Sequence, residues 1–494
     1  LFMSCIIISL LPFALAGNFL LVTMDQGRSH TRSFQPLMHR LQEDNHSVSL
    51  YFNIFKPEID FHMKNELIDV SKFLANPFDD DAFGKLVWNQ EFSIFTQIIP
   101  FYRHSISCSI VLEKCRPQYD RLVRGNWDLI FADSLFSVCG YGVVQLSRRH
   151  HVMVHSSDVE GPHGTSKGFH KNYAILPPNF MSLSQSSFDP SIFTHRLRSA
   201  YDWFGSFVTT NMIANYYMNR ALSPVLPNFS FREFNKISSF TFTDMPESLY
   251  YPAPRTNDFF SYGSYCTPKK ALLGEVKDFV SDPSSRGTIV VAFGTLVPWS
   301  LSPPDKLDAF VQVFNNLSEY RIVWSYKGRP IKVGRHVMVS EWIPQNDLLL
   351  DEKTVLFISH GGLKSVKEAA CSGIPALFMP MFAEQKRNSW LAKHKGFAEI
   401  LNKFLLTPSY LEEKIRKMLN TPDFKTKGEL LKKRFLDQPL SSLDHAASIV
   451  KRLLKYGGRM PSFFYTRSLE LSYLTTLNID IIVAIPLILL TILL

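Results

Sequence analysis

Residues Val355 to Gly362 read VLFISHGG, and this stretch decides the fold that we expect of the chain. An apolar run of strand length ends at His360, and Gly361 and Gly362 follow directly before a helical pattern. A strand that turns through glycines into a helix places backbone N–H groups and a helix N-terminus where an anion can bind. The glycines let the backbone approach a ligand closely. The stretch therefore predicts a phosphate-binding unit in a parallel α/β sheet.

The helix that follows this turn carries two further polar residues on one face. Ser365 falls in its first turn, and Glu368 lies three residues further along. A phosphate could contact His360 and Ser365 while Glu368 reaches a neighbouring pair of hydroxyls. Because a His-Gly-Gly turn alone is more often structural than functional, the surrounding sequence has to decide its role.

Strand patterns alternate with helical patterns on both sides of the turn. We predict strands at 18–23, 47–52, 127–132, 152–155, 288–293, 321–324, 336–339, 355–359 and 376–379. Helices are predicted around 34–41, 306–317 and 363–371, and a capping box at 409–412 opens a later helix. The alternation indicates βαβ units. We expect an α/β protein with two facing Rossmann-like domains, 17–266 and 287–455, joined by a polar linker at 267–286. The ligand cleft should lie at the carboxyl ends of the strands.

Composition narrows the class of protein. The 494 residues are 46% hydrophobic and 20% charged, which is typical of a globular chain of two or three domains. The net charge is +9, but the cations are spread along the chain without an aromatic-interleaved stripe, so nucleic-acid binding is not expected. The 41 phenylalanines favour apolar cores or an apolar small-molecule pocket.

Both ends of the chain suggest the secretory route. Residues 1–16 resemble a secretory signal with cleavage before Gly17; a buried first strand or helix is the alternative. Residues 481–494 form an apolar run, preceded by a juxtamembrane segment at 456–480. We expect this run to be an incomplete transmembrane segment, and an amphipathic or core helix is the alternative. The prediction is a single-pass membrane protein with both domains in the lumen of the endoplasmic reticulum.

Cysteines and glycosylation sequons add to this picture. Cys5 lies in the expected signal, and the other five of the six cysteines show neither metal-ligand spacing nor a disulfide scaffold. Sequons for lumenal glycosylation begin at Asn45, Asn228 and Asn316.

Four segments carry a specific family resemblance. They are GTIVVAFGT (287–295), WIPQNDLL (342–349), FISHGGLKSVKEA (357–369) and GIPALFMPMFAEQ (373–385). This set resembles the nucleotide-sugar box of the UDP-glycosyltransferases, in particular the membrane-anchored animal UDP-glucuronosyl and UDP-glucosyl branch. The resemblance covers most of the chain and is tighter in the second half than in the first. It implies a glycosyltransferase of the GT-B type.

The resemblance also implies roles for residues of the second half. Trp342 and Gln345 would hold the uracil and Glu368 the ribose hydroxyls. The diphosphate would meet His360, Ser365 and Thr295 around the Gly361-Gly362 turn, and the sugar hydroxyls would meet Glu384 and Gln385. Two positions depart from the family pattern, because the family usually has Asn at Lys364 and Asp at Glu384. Lys364 could still serve a diphosphate as a point charge.

The first half should supply the acceptor site and the base. Transfer to a hydroxyl requires removal of its proton, and an imidazole suits that step. His30, in a loop after the first strand, resembles the family's catalytic histidine, and Asp133 resembles the aspartate that orients it. The mechanism we expect is a single displacement with inversion, without a metal or other cofactor besides the UDP-sugar co-substrate. The donor sugar is expected to be glucose rather than glucuronate, because residues 382–385 contain no basic side chain.

The acceptor is expected to be a small lipophilic hydroxyl compound. A Phe-rich stretch at 73–101 could line its pocket or belong to the core. Asp79, Asp80 and Asp81 contain a DxD pattern, which we interpret as a solvated turn or helix cap rather than a metal site. Two other functions remain open: a catalytically silent membrane-anchored nucleotide-sugar-binding protein, and another two-lobed nucleotide-sugar enzyme such as an epimerase or hydrolase. The sequence also leaves oligomerisation open.

Overall fold

The computed structural model describes residues 16–56, 61–75, 81–169 and 171–493. The predicted signal lies outside these ranges except for its last residue, Ala16. The DxD pattern is also outside them except for Asp81, which begins a helix.

The first half of the chain forms a seven-stranded sheet. The strands of this half are β1 Asn18–Val22, β2 Ser47–Tyr51, β3 Asn53–Ile54, β4 Lys64–Asn65, β5 Ile68–Asp69, β6 Leu129–Asp133, β7 His151–His155, β8 Phe240–Thr243 and β9 Phe259–Ser261. The large sheet has the order β4-β2-β1-β6-β7-β8-β9, and β3 pairs with β5 beside it. Every strand pair described in this half is parallel.

The second half forms a six-stranded sheet, again with parallel pairs in its described part. Its strands are β10 Thr288–Ala292, β11 Arg321–Ser325, β12 Val337–Ser340, β13 Thr354–Ser359, β14 Ala376–Phe378 and β15 Ala398–Ile400. Their order is β12-β11-β10-β13-β14-β15. The prediction of two parallel α/β units is confirmed, and the predicted strands agree with the observed ones to within one or two residues at each end.

Helices connect and cover the strands. In the first half and the connecting segment they are α1 Arg28–Glu43, α2 Asp81–Asn89, α3 Ile98–Lys114, α4 Arg116–Val123, α5 Val138–Ser147, α6 Gly161–Ser166, α7 Phe193–Val208, α8 Asn215–Leu222, α9 Phe231–Lys236 and α10 Gly274–Val280. A π-helical segment, Thr209–Ala214, joins α7 to α8. The remaining helices are α11 Pro304–Asn316, α12 Gln345–Leu349, α13 Leu363–Ser372, α14 Gln385–His394, α15 Pro408–Asn420, α16 Pro422–Phe435, α17 Ser442–Lys455, α18 Tyr473–Thr476 and α19 Ile479–Leu493.

Two details of the helices differ from the sequence prediction. Helix α1 begins at Arg28, so His30 lies in its first turn and not in a loop. Helix α15 is capped by Thr407, whose side chain accepts a hydrogen bond from the Tyr410 N–H at 3.2 Å, instead of by the predicted box at 409–412. Thr407 precedes Pro408, which is well suited to the first helical position because it needs no N–H partner there.

Both faces of each large sheet are buried, which explains why the strands are apolar runs. Along β1, Leu20 and Val22 point into one core cluster. Phe19 and Leu21 point into another on the opposite face. The residues of β10 alternate in the same way between two clusters of the second half.

Helix α17 returns to the first domain, although the predicted boundary places 287–455 in the second. Its apolar face belongs to the same core as α1 and β1. Arg40 of α1 forms an ion pair with Asp444 at 2.6 Å, and Asp44 pairs with Lys451 at 3.0 Å. Helix α17 therefore connects the end of the second half back to the first domain.

The predicted transmembrane run falls on α19, which has 15 residues and contains Pro486. Among the helices of the described residues, none combines the length and apolar character needed to span a bilayer.

The expectation of a chain without a disulfide framework is wrong. Cys108 is bonded to Cys139, and Cys266 is bonded to Cys371. Cys115 is buried and is the free cysteine of the described residues. The partners are 31 and 105 residues apart in sequence, so only the fold brings them together. The second bond joins the segment after β9 to helix α13 of the second domain.

Candidate active site

His30 and Asp133 form a hydrogen-bonded pair at the carboxyl ends of β1 and β6. These strands are neighbours in the sheet, so the turn after β1 and the end of β6 meet at one edge. His30 Nδ1 lies 2.8 Å from Asp133 Oδ2, and Asp133 also accepts the backbone N–H of Met24 at 3.2 Å. Asp133 is fully buried, whereas the His30 side chain is 16% exposed. The pair therefore leaves Nε2 of His30 as the ring nitrogen available to a ligand.

The surroundings of His30 favour its protonated form. Burial lowers the pKa of His30, but the charge and the hydrogen bond of Asp133 outweigh it, so the pKa is raised above the ordinary value of 6.5. The charges of Glu384 and Glu160 act in the same direction. Since Glu384 belongs to the second domain, His30 faces the other half of the molecule across the cleft.

The turn between β13 and α13 has the geometry of an anion site. Gly361 has φ of +75°, a conformation that favours glycine, and Gly362 caps α13. Among the described residues no side chain caps this helix, so its first N–H groups are left for a ligand. Ser365 lies in the first turn of α13, as predicted, and is buried.

Thr295 lies beside this turn because β10 and β13 are adjacent. Ala292 pairs with Ser359, whose hydroxyl donates to the Ala292 carbonyl at 2.7 Å. The next turn brings Gly294 so close to His360 that a Cβ there would lie 3.0 Å from the ring. Burial lowers the pKa of His360 to about 4, so the imidazole is neutral at pH 7. The structure therefore places the Gly294 turn, which Thr295 follows, beside His360.

Trp342, Gln345 and Glu368 form the next part of the site. The Gln345 amide donates to the Glu368 carboxyl group. Burial raises the pKa of Glu368, against the opposing influence of Lys364 and the Gln345 hydrogen bond. Trp342 is 73% exposed, which leaves its ring free for stacking.

Glu384 and Gln385 begin helix α14. Glu384 stands at the N-cap position and is half-buried. The Gln385 side-chain oxygen accepts the backbone N–H groups of Met381 at 2.9 Å and Phe382 at 3.2 Å. Gln385 therefore shapes the loop on which Glu384 sits, a role that the sequence did not suggest.

Contacts between the domains close the cleft around these residues. Lys367 of α13 forms a buried ion pair with Asp244, which follows β8, at 2.5 Å. The charge of Arg32, two residues after His30, acts on Glu368. The N-terminal part of α1 and helix α13 therefore face each other.

Sequence reasoning missed a buried cluster behind Asp133. His155 Nδ1 donates to Glu160 at 3.1 Å, and Nε2 of His163 donates to the carbonyl of Ser134 at 3.1 Å. Burial would raise the pKa of Glu160, but the hydrogen bond and charge of His155 and the charge of His163 hold it at about 2. Its members lie within residues 155–163, where β7 leads into α6, and their spacing matches no motif predicted from the sequence. In the described part of the chain, no group of three or more His, Cys, Asp or Glu side chains is placed to hold a metal ion.

Solved structures define the class of this fold. The structure matches the glycotransferase of kitacinnamycin with a TM-score of 0.60 at 14% identity, covering 88% of this chain and 98% of that one. It matches the glycosyltransferase VinC in complex with dTDP with a TM-score of 0.57 at 16% identity, covering 89% and 100%. The fold is that of a GT-B glycosyltransferase.

Sequence comparison then gives the family. Residues 37–488 match the family described as UDP-glucoronosyl and UDP-glucosyl transferase, and the chain belongs to this family. Mouse UDP-glucuronosyltransferase 2A2 is 33% identical over 210 residues, 42% of this chain and 39% of that protein. Rat UDP-glucuronosyltransferase 1A8 is 26% identical over 473 residues, 90% of this chain and 84% of that protein. The UDP-glycosyltransferase UGT5 of Dactylopius coccus is 28% identical over 44% of this chain and 41% of that protein. The matches to the mouse protein and to UGT5 therefore each span about two-fifths of the relative's length.

Proposed function

We propose that the protein transfers a hexose from a UDP-sugar to a hydroxyl group of a small lipophilic acceptor, with inversion at the anomeric carbon. The observation that carries this proposal is the His30–Asp133 pair, which faces Glu384 of the donor domain across the cleft. A base on one domain and an anion-binding helix turn on the other are the two requirements of a direct displacement.

The base step follows from the hydrogen bond of His30. Asp133 engages Nδ1, so Nε2 accepts the proton of the acceptor hydroxyl while that oxygen bonds to the anomeric carbon. The bond between this carbon and the UDP oxygen breaks as the new bond forms. Asp133 stabilises the imidazolium that results, and this explains why a buried carboxylate stands behind the ring.

The donor domain stabilises the leaving group. The N–H groups at the start of α13 and the hydroxyls of Ser365 and Thr295 can hydrogen-bond the diphosphate as its negative charge grows. His360 is neutral, so it serves as a hydrogen-bonding group rather than a counter-charge. Trp342 would stack on the uracil, and the carboxyl group of Glu368 would bind the ribose hydroxyls. This part of the proposal requires no metal.

Glucose is the sugar that the site favours in this proposal. Glu384 can accept hydrogen bonds from sugar hydroxyls, and residues 382–385 offer no basic side chain to the carboxylate of glucuronate. Arg387, a buried cation on α14, already donates to the Asn179 side chain and lies 5.6 Å from the Tyr250 ring. These contacts engage the guanidinium, which otherwise would suit a sugar carboxylate.

The Phe-rich stretch contributes less to an acceptor pocket than its composition suggests. Trp88 packs on Trp299 of the second domain and donates to the Pro298 carbonyl at 2.9 Å. Phe83 and Phe92 pack on Phe382. Because these rings bind the domains together, the acceptor should contact residues nearer to His30.

The direct test offers UDP-glucose and UDP-glucuronate separately, with phenols and lipophilic alcohols, in the presence of a chelator. Product mass and UDP release with UDP-glucose would support the proposal. The variant His30→Ala should abolish transfer but retain UDP binding, while His39→Ala, on the same helix, should transfer normally. UDP binding without transfer to any acceptor would favour the silent binding protein instead.

We also propose that the protein works in an oxidising lumen. Two disulfides are typical of secreted and lumenal chains, and the asparagines of all three sequons are exposed. Expression in a secretory host should give a chain whose mass falls on treatment with an N-glycosidase. A chain without N-glycans would contradict this location.

A further inference from the structure

The helical span 193–222, made of α7, the π segment and α8, exposes an apolar row that we call the α7–α8 face. Each of its six large side chains is between 56% and 67% exposed: Phe193, Leu197, Tyr201, Phe204, Met212 and Tyr216. Exposed apolar residues are ordinary when scattered, but a contiguous row on one helix usually marks an interaction surface.

The spacing of the row keeps it on one side of the helix. Phe193, Leu197, Tyr201 and Phe204 follow steps of four, four and three residues, which is the helical repeat. The step to Met212 is eight residues and crosses the π segment, Thr209–Ala214. A π turn takes up an extra residue, so Met212 and Tyr216 stay in line with the residues before them. The opposite side of the span is buried against the first domain, as shown by Ser199, Asp202, Gly205, Ser206, Ala214, Met218 and Leu222.

Cations flank the α7–α8 face. Residues 193–236 contain two acidic side chains, Asp202 and Glu233. The arginine and lysine side chains in the same range are Arg196, Arg198, Arg220, Arg232 and Lys236. Asp202 is buried and accepts the backbone N–H groups of Asn179 and Phe180, so it does not offset the surface charge. An apolar row with a cationic border and tyrosines is the composition of a helix that lies in a membrane interface.

The last helices of the chain begin beside this face. Tyr473 of α18 packs against Phe207 of α7 with ring centres 5.2 Å apart, and the Arg232 guanidinium lies 3.7 Å over the Tyr473 ring. Six residues after Tyr473 begins α19, whose large apolar side chains from Ile481 to Ile492 are more than half exposed. Two exposed apolar surfaces therefore start from the same region of the molecule.

We propose that the α7–α8 face rests on the surface of a lipid bilayer that contains anionic headgroups, together with α19. Phe204 and Met212 enter the acyl boundary, and the arginines meet the phosphates. A second copy of the chain fits the face less well, because a two-fold interface would bring the same cations together. Contact with the bilayer also places the first domain, which should bind the lipophilic acceptor, next to the phase in which such compounds dissolve.

Nitroxide accessibility in the full chain tests this proposal. The variants Phe204→Cys and Met212→Cys carry the label on the face, and Leu273→Cys and Leu405→Cys are controls at residues that are 77% and 63% exposed elsewhere. Cys115, the free cysteine of the described residues, is buried and should not react. In phosphatidylcholine–phosphatidylserine vesicles, labels on the face should collide with oxygen several-fold more often than the controls and with a water-soluble nickel complex several-fold less.

Two results of the accessibility measurement would overturn the proposal. One is equal accessibility of the labels on the face and at the control positions in vesicles. The other is low accessibility of the face labels to the nickel complex without lipid, falling further as the protein concentration rises. That result would show that a second copy of the chain covers the face. As an independent measurement, Arg198→Gln and Arg220→Gln should each weaken binding to vesicles about fivefold when phosphatidylserine is present. Unchanged binding in both variants would also contradict the proposal.

Discussion

The pKa of His30 depends mainly on its hydrogen-bond partner Asp133. Burial alone would lower this pKa, and the charge and hydrogen bond of Asp133 reverse the shift. A base must be unprotonated, so kcat/KM should fall on the acid side with an apparent pKa above the ordinary 6.5. A pH–rate profile of the wild-type protein measures this value, and an acid limb below 6.5 would contradict the proposed role of the pair.

Replacing the partner gives a sharper prediction. In Asp133→Asn, only the smaller effects of Glu384 and Glu160 still oppose burial, so the pKa of His30 falls and the acid limb moves to lower pH, while the rate drops about 10³- to 10⁴-fold. Asp128→Asn is the matched control, because Asp128 lies just before the other end of β6 and accepts the Asn18 N–H at 2.8 Å. The control should keep both its rate and its pH profile.

Trp342 should act on donor binding alone. Its ring is 73% exposed, so Trp342→Ala should leave the melting temperature unchanged. Loss of stacking on the uracil should raise KM for the UDP-sugar by about tenfold to a hundredfold with little change in kcat. Leu405→Ala removes an apolar side chain of similar exposure away from the cleft and should change neither quantity. A lowered kcat in Trp342→Ala would contradict a pure binding role.

At the scale of secondary structure, the two glycines that flank α13 allow the effect of backbone strain on stability to be measured apart from the effect on UDP binding. Gly361 and Gly373 both have φ of +75°, one before the helix and one after it. Gly373→Ala meets its nearest neighbour at 3.3 Å, so it should cost about 1–2 kcal/mol of stability from backbone strain without changing KM. In Gly361→Ala the new Cβ would clash with the Ser389 hydroxyl. This variant should lose affinity for UDP as well as stability, which titration calorimetry and thermal melting measure separately.

The strand, turn and helix around His360 could be predicted because the signals are local. A buried strand, two glycines and an amphipathic helix occupy consecutive positions, and they predict a βα turn without knowledge of the rest of the chain. The recognition of His30 and Asp133 needed more, because they are 103 residues apart and their contact depends on the order of strands in the sheet. The family resemblance predicted this pairing without the strand order, which hydrophobic periodicity could not supply.

Other features could not be predicted because they are tertiary. Helix α17 has an amphipathic pattern that fits either domain, and only its contacts with α1 assign it to the first. Cys266, the disulfide partner of Cys371, is 105 residues away and precedes the second domain, so no local pattern pairs the two cysteines. Glu160 is placed near His30 by β7 and α6, so no local pattern links the two residues.

On the scale of the whole molecule, the two halves are joined by buried charges as well as by the polypeptide. Lys367 and Asp244 are 5% and 2% exposed, and the Lys367 ammonium also lies 3.8 Å from the Tyr265 ring centre. Lys403 extends from the second domain to the carbonyls of Val87 at 2.5 Å and Gln90 at 2.7 Å in the first. Such pairs hold one particular domain arrangement, and that arrangement keeps His30 opposite Glu384.

The interdomain pair yields the last prediction. Lys367→Met leaves the carboxylate of Asp244 buried without its counter-charge and should lower stability by about 3–5 kcal/mol. Restoring neutrality with Lys367→Met and Asp244→Asn together should recover part of this loss, because the buried charge is removed. Lys327→Met is the control, since Lys327 pairs with Glu341 at the surface with 78% exposure, and should cost less than about 1 kcal/mol. Urea denaturation of the four proteins measures each value. Equal losses for Lys367→Met and Lys327→Met would show that the buried pair does not hold the domains together.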